Sequence, residues 1–216
     1  MIKLLILGFL LGVQHAFDSD HLIAVTTITG ESKNLKTSSK IGAIWGAGHT
    51  FTLLIIGFFL MTLNLTIPPT WGIFFENIIA IILILLGLNL LYKIHKEKIH
   101  LHKHTHNGTT HAHLHSHKKS ITHHHNHLRK SFIIGTLHGL AGSAGLMLLI
   151  LATVNTLPQG LAYILFFGIG SMAGMTIIST LISLPFLATQ KFQKTHEWIQ
   201  ISAGSVSIMV GVGMML

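Results

Sequence analysis

The chain has 216 residues, half of them hydrophobic and only 9% charged, against about 25% in an ordinary soluble domain. Six acidic and fourteen basic residues cannot furnish the polar shell of a water-soluble enzyme, and the mean hydropathy of +0.63 points to a polytopic membrane protein. With no cysteine there is no disulfide, thiolate metal site or thiol relay, and the formal charge of +8 sets orientation in a membrane rather than marking nucleic acid as a partner.

In chain order, the apolar runs predict an all-α fold of six transmembrane helices, at roughly 3–29, 41–63, 72–93, 131–154, 159–188 and 197–216. The first run continues past Asp20 and His21 into Leu22-Ile23-Ala24-Val25 with no small-x-small end, so it reads as a span rather than a signal peptide. Loops one, three and five share a side and carry 13 of the 14 basic residues; only Lys3 lies opposite. The positive-inside rule therefore predicts a multi-pass cell-membrane protein with both termini outside and the long third loop in the cytoplasm.

Faint self-similarity divides the chain. Gly12-Val13-Gln14-His15 matches Gly135-Thr136-Leu137-His138, Gly48-His49-Thr50 matches Gly174-Met175-Thr176, and Ile84-Leu85-Leu86-Gly87 matches Ile208-Met209-Val210-Gly211, with offsets of 123, 126 and 124. Order and spacing are kept, so the expected organisation is a three-helix unit over 1–94, a loop over 95–130 and a second unit over 131–216. Three helices is an odd number, so the second unit would be inverted, as in many secondary transporters.

The sole two aspartates, Asp18 and Asp20, lie inside the first apolar run, between His15 and His21. A charge at a helix centre costs about 2.5–3.5 kcal/mol on insertion scales, which makes a functional site the default reading. On a regular helix His15, Asp18 and His21 form one stripe, while Asp20 sits about 100° from His21 on another face. One ligand set using both His15 and Asp20 needs local distortion, for which Gly12 is the nearby candidate. Imidazole with carboxylate and no sulfur suits a borderline divalent transition metal. His49 in the second helix and His138 in the fourth offer further imidazoles, with Ser143, Met175 and Ser179 as weaker candidates. The competing reading of these residues is an inert hydrogen-bonded network between helices.

The run His15-Ala16-Phe17-Asp18-Ser19-Asp20-His21-Leu22 resembles the signature of the nickel/cobalt transporter (NiCoT) family, whose second transmembrane helix carries His-x-x-x-x-Asp-His. Gly48-His49-Thr50 is similar to that family's next motif, Gly-His-Ser/Thr. The resemblance implies that His15, Asp18, Asp20, His21 and His49 bind the metal or line its path. It covers about the first 60 residues. The family's later Asp-Thr-Ala-Thr-Glu motif is absent, and Ser179 stands where Gly-Met-x-x-x-Asp has its acid. The second half looks more like the shorter UreH-like transmembrane relatives, which carry a His-Gly in their fourth helix.

Thirteen of the 18 histidines lie between His95 and His127, many of them alternating, as in His111-Ala112-His113-Leu114-His115-Ser116-His117. Such a tract attracts Ni, Co, Zn or Cu through neutral imidazoles and is expected to be disordered without metal.

These features predict transport of a divalent transition-metal cation, nickel or cobalt by resemblance, with uptake as the direction. Efflux and a membrane metal sensor or accessory role are the alternatives. An intramembrane zinc enzyme lacks a His-Glu-x-x-His, and a haem protein would have to use His15, His49 and His138. No enzymatic activity and no resident cofactor are expected, with Ni²⁺ or Co²⁺ as substrate. The expected partners are the ion, membrane lipid and a cytoplasmic metallochaperone or nickel-enzyme maturation protein.

Overall fold

The computed structural model describes residues 1–30, 32, 34–65, 68–98, 102–106, 109–113, 124–141, 154 and 156–216. Among these are seven helices and one strand pair: α1 (Ile2–His15), α2 (Ser19–Thr29), α3 (Leu35–Thr62), α4 (Pro69–Lys98), β1 (His102–His106), β2 (Thr109–His113), α5 (His124–Ala141), α6 (Leu157–Thr189) and α7 (Gln193–Gly213). The strands pair antiparallel, His102 opposite His113 and His104 opposite His111.

Three of the helices are long and apolar enough to cross a membrane, within Leu35–Thr62, Thr70–Lys96 and Leu157–Thr189. The 28 residues of α3 reach about 42 Å at 1.5 Å per residue, more than the roughly 30 Å of hydrocarbon. The pair α1 and α2, bent by 58° at the break between them, makes a fourth candidate when the two are counted as one broken span. The expected span at 131–154 begins in α5, and its continuation lies outside the described residues. The expected span at 197–216 corresponds to α7, whose start is polar: Gln193, Lys194, Thr195, His196 and Glu197. The chain is thus a helical, multi-pass membrane protein.

The unbroken helix expected over 3–29 is instead two helices. Asp18 takes an extended conformation, φ −61° and ψ 145°, as the N-cap of α2. Asp18-Ser19-Asp20 is a run of residues that favour N-caps over helix interiors, because their short side chains compete for backbone hydrogen bonds. Gly12, the expected site of distortion, is regular helix inside α1. It serves close approach: a Cβ there would overlap the Phe167 carbonyl of α6.

Small residues set the other crossings too. α3 meets α6 through Gly46, where a Cβ would lie 2.5 Å from the Met172 Cα, and α5 through Gly48 and Gly135, where it would overlap the Phe132 and Trp45 carbonyls. α4 and α7 meet reciprocally. A Cβ on Gly87 would lie 2.5 Å from the Gly204 carbonyl and 2.8 Å from Ile208, and one on Gly211 would lie 2.6 Å from the Ala80 carbonyl and 2.8 Å from Ile84. The buried core collects Ala16, Ala24, Val25, Trp45, Ile79, Leu83, Met175 and Ile178. Large apolar side chains such as Leu85, Leu88, Ile177 and Leu181 face outward, a surface suited to lipid. At the lysine-bearing end, Gln190 donates to the Ser32 carbonyl at 3.2 Å and Gln200 to the Gly30 carbonyl at 3.0 Å. These bonds join the α2–α3 corner to α6 and α7.

Candidate metal site

The break between α1 and α2 places the polar residues. His15 closes α1, Asp18 caps α2, and Asp20 and His21 lie in the first turn of α2. The carboxylates therefore sit at the positive end of one helix dipole, and the imidazole of His15 sits at the negative end of another. That is an electrostatic reason why two acids are tolerated here. His49 comes from the middle of α3 and His138 from α5. Their helices close together because α5 presents Gly139, where a Cβ would lie 2.6 Å from the His49 carbonyl.

The four imidazoles form one cluster. Ring centroids are 4.7 Å apart for His15 and His21, 5.1 Å for His15 and His49, 5.5 Å for His21 and His49, and 5.0 Å for His21 and His138. One nitrogen from each of His15, His21 and His49 falls within 4.8 Å of the others, and the same holds for ligand atoms of Asp18, Asp20 and His21. His15 Nδ1 lies 2.8 Å from Asp18 Oδ2, and His21 Nδ1 lies 3.2 Å from Asp20 Oδ1. His138 Nε2 is 3.8 Å from Asp20 Oδ2. All six residues named from the sequence thus share one region, although the regular helical stripe expected for His15, Asp18 and His21 is replaced by a bend that buries His21 and leaves Asp18 at the exposed side.

Burial grades across the cluster. His21, His49 and His138 are at most 1% exposed, whereas the Asp18 side chain is 54% exposed. Several buried polar atoms there have no hydrogen-bond partner: His21 Nε2, both ring nitrogens of His49, His138 Nε2, Trp45 Nε1 and Ser171 Oγ. Each such atom costs about 1–3 kcal/mol when left unpaired, so the concentration of bare imidazole nitrogens at one point calls for a ligand. Clustered imidazoles beside carboxylates fit a borderline divalent cation, and with no thiolate available they do not select the softest ions.

Trp45, Phe167 and Ser171 were not singled out by the sequence. The Trp45 ring lies 5.1 Å from His138, and Phe167 lies 5.4 Å from His15. Trp45 precedes His49 by one helical turn, a spacing that could have flagged it. Ser171 backs onto Gly12 from α6, a long-range pairing with no local signal. Met175 and Ser179 lie instead against Gly42, about two turns before His49 on α3. Ser143 lies outside the described residues. Of the loop histidines, His95 is on α4, and the side chains from His100 to His127 are likewise outside the description.

Residues 24–213 match the family model described as the cytochrome C biogenesis protein transmembrane region. The chain is 40% identical over 231 residues to the urease accessory protein UreH of Bacillus sp. (strain TB-90), an alignment covering 98% of this chain and 90% of that protein. It is 24% identical over 220 residues to the chloroplast protein FOR GROWTH AND FERTILITY 1 of Arabidopsis thaliana, covering 97% of this chain and 58% of the other. No solved structure matches significantly. Between the resemblances drawn from the motifs, these matches support the shorter UreH-like relative and not the nickel/cobalt transporter family itself.

Proposed function

The chain belongs to the family of the cytochrome C biogenesis protein transmembrane region, with a urease accessory protein as a full-length relative, and we propose that it carries a divalent transition-metal cation, nickel or cobalt, across the cell membrane into the cytoplasm. The observation that carries this reading is the cluster of His15, His21, His49 and His138 at a break between two half-helices, with bare buried ring nitrogens on His21, His49 and His138 and two carboxylates beside them. Discontinuous helices that meet at a polar site inside the membrane are how many secondary transporters hold an ion. Having no cysteine, the chain cannot perform thiol–disulfide exchange, so the family's description does not supply its chemistry.

The proposed architecture is six crossings arranged as two inverted three-helix units. Reciprocal contacts at Gly87 and Gly211, with Ser207 donating to the Leu83 carbonyl at 2.7 Å, support it, because each pair of equivalent residues differs by the same offset of 124. Both termini are outside, and the histidine-rich loop receives the ion in the cytoplasm. Membrane potential supplies about 2.3 kcal/mol per charge per 100 mV, and roughly twice that for a dication. A relative described as a urease accessory protein fits a chain that delivers nickel towards enzyme maturation partners.

Cells expressing the chain are expected to accumulate radioactive nickel or cobalt above a vector control. His21→Ala and His49→Ala should return uptake to the control level while the protein stays in the membrane fraction. Full uptake by both variants rejects this site.

A further inference from the structure

We propose that Asp18 and Asp20 are positioning residues rather than ligands, each fixing a histidine so that imidazole nitrogens alone line the cation's cage. This inference refines the proposed function at its own site and takes its class of ion from it.

The argument starts from donors and acceptors. An ionised carboxylate and a backbone carbonyl can only accept. Asp18 Oδ2 lies 2.8 Å from Nδ1 of His15, so that nitrogen carries the proton. Asp20 Oδ1 lies 3.2 Å from Nδ1 of His21, with the same consequence. His138 Nδ1 donates to the Ile134 carbonyl at 3.3 Å. A neutral imidazole holds one proton, so in all three rings Nε2 is left with a bare lone pair. Nε2 of His21 and of His138 are both buried without a hydrogen-bond partner, Asp20 Oδ2 lying 3.8 Å from the latter, and His49 adds a ring with neither nitrogen engaged. Two side chains and one carbonyl thus reach the same tautomer.

Asp18 supplies a second sign. It is the N-cap of α2, yet its side chain makes no cap hydrogen bond. An N-cap aspartate ordinarily accepts from the backbone N–H of the first turn. Here the carboxylate turns to His15 instead. The exposure gradient agrees: the side chains of Asp18 and Asp20 are 54% and 26% exposed, outside imidazoles at 1% or less for His21 and His138. Carboxylates that accept from the far nitrogen of a ligating histidine fix its orientation and raise its basicity. They also place two negative charges one layer away from a dication. An all-imidazole cage discriminates against Mg²⁺ and Ca²⁺, which require oxygen donors.

The rival arrangement is the oxygen-rich set Asp18, Asp20 and His21, whose ligand atoms also fall within 4.8 Å of one another. X-ray absorption at the nickel edge separates the two. The sample is the full chain with the histidines of 95–127 replaced by serine, held in lipid nanodiscs and loaded with Ni²⁺. We expect several imidazoles and no carboxylate oxygen in the shell. Asp18→Ala and Asp20→Ala should keep the imidazole number and lower nickel affinity about 10–100-fold. Because Asp18 acts through His15, Asp18→Ala should change affinity less than about twofold once His15→Ala is present. Excess Mg²⁺ should not displace the nickel. A carboxylate oxygen in the shell, or full additivity of Asp18→Ala with His15→Ala, overturns the inference. Nickel on carboxylates in a chain that still supports uptake overturns it alone. An imidazole shell in a chain without uptake keeps it and removes transport. A chain that binds no nickel removes both.

Discussion

Two regions of this molecule are rich in histidine, and they use the residue differently. In the membrane cluster, four rings come from three separate stretches of chain, and His21, His49 and His138 are almost wholly shielded. Between His95 and His127, thirteen histidines are packed into one stretch of sequence that runs from the end of α4 into the start of α5. Burial makes each nitrogen in the first region individually accountable, because an unpaired one is costly. Under the proposed function the loop gains affinity through number, since many weak neighbouring sites raise the local metal concentration. The contrast teaches that histidine count is a poor guide to where an ion is held in one defined geometry.

The largest expected effect falls on the cluster. His49→Ala should abolish nickel uptake, whereas replacing every loop histidine with serine should leave the saturating rate within about twofold, both measured in whole cells. Equal losses would break the comparison. Next, Gly135→Val would force a Cβ into the Trp45 carbonyl and push α5, with His138, away from α3. Overpacking of this kind destabilises by about 1–3 kcal/mol, visible as a lower unfolding temperature in detergent together with weaker nickel binding. A smaller effect concerns pH. Imidazole binds metal only when neutral, so a peptide of residues 95–130 should hold nickel above about pH 6.5 and release it progressively below, as followed by calorimetry. The smallest effect belongs to Ser171→Ala, which removes a buried hydroxyl that has no partner. Stability should be unchanged or raised by up to about 1 kcal/mol, and a marked drop in uptake would instead make Ser171 part of the ion's path.

The sequence showed the chemistry of the site more clearly than its geometry. His15, Asp18, Asp20 and His21 stood out because charge is expensive inside an apolar run, and His49 because small residues flank it. The ligand geometry predicts a distortion but not the place of the bend, since a continuous hydropathy run hides where the direction changes. Its signal lay in Asp18-Ser19-Asp20, a capping sequence inside a span, rather than in Gly12. Trp45 and Phe167 reach the cluster, and Ser171 reaches Gly12 of α1, through crossings of α3, α5, α6 and α1, which depend on long-range glycine contacts that periodicity does not encode.

The two glutamine bonds at the lysine-bearing end have a mechanical consequence. Gln190 and Gln200 both grip carbonyls of one short corner, Ser32 and Gly30, so any motion that parts this corner from α6 and α7 must release them. At about 0.5–1.5 kcal/mol apiece, the two bonds are firm enough to hold the corner in place and weak enough for thermal agitation to undo.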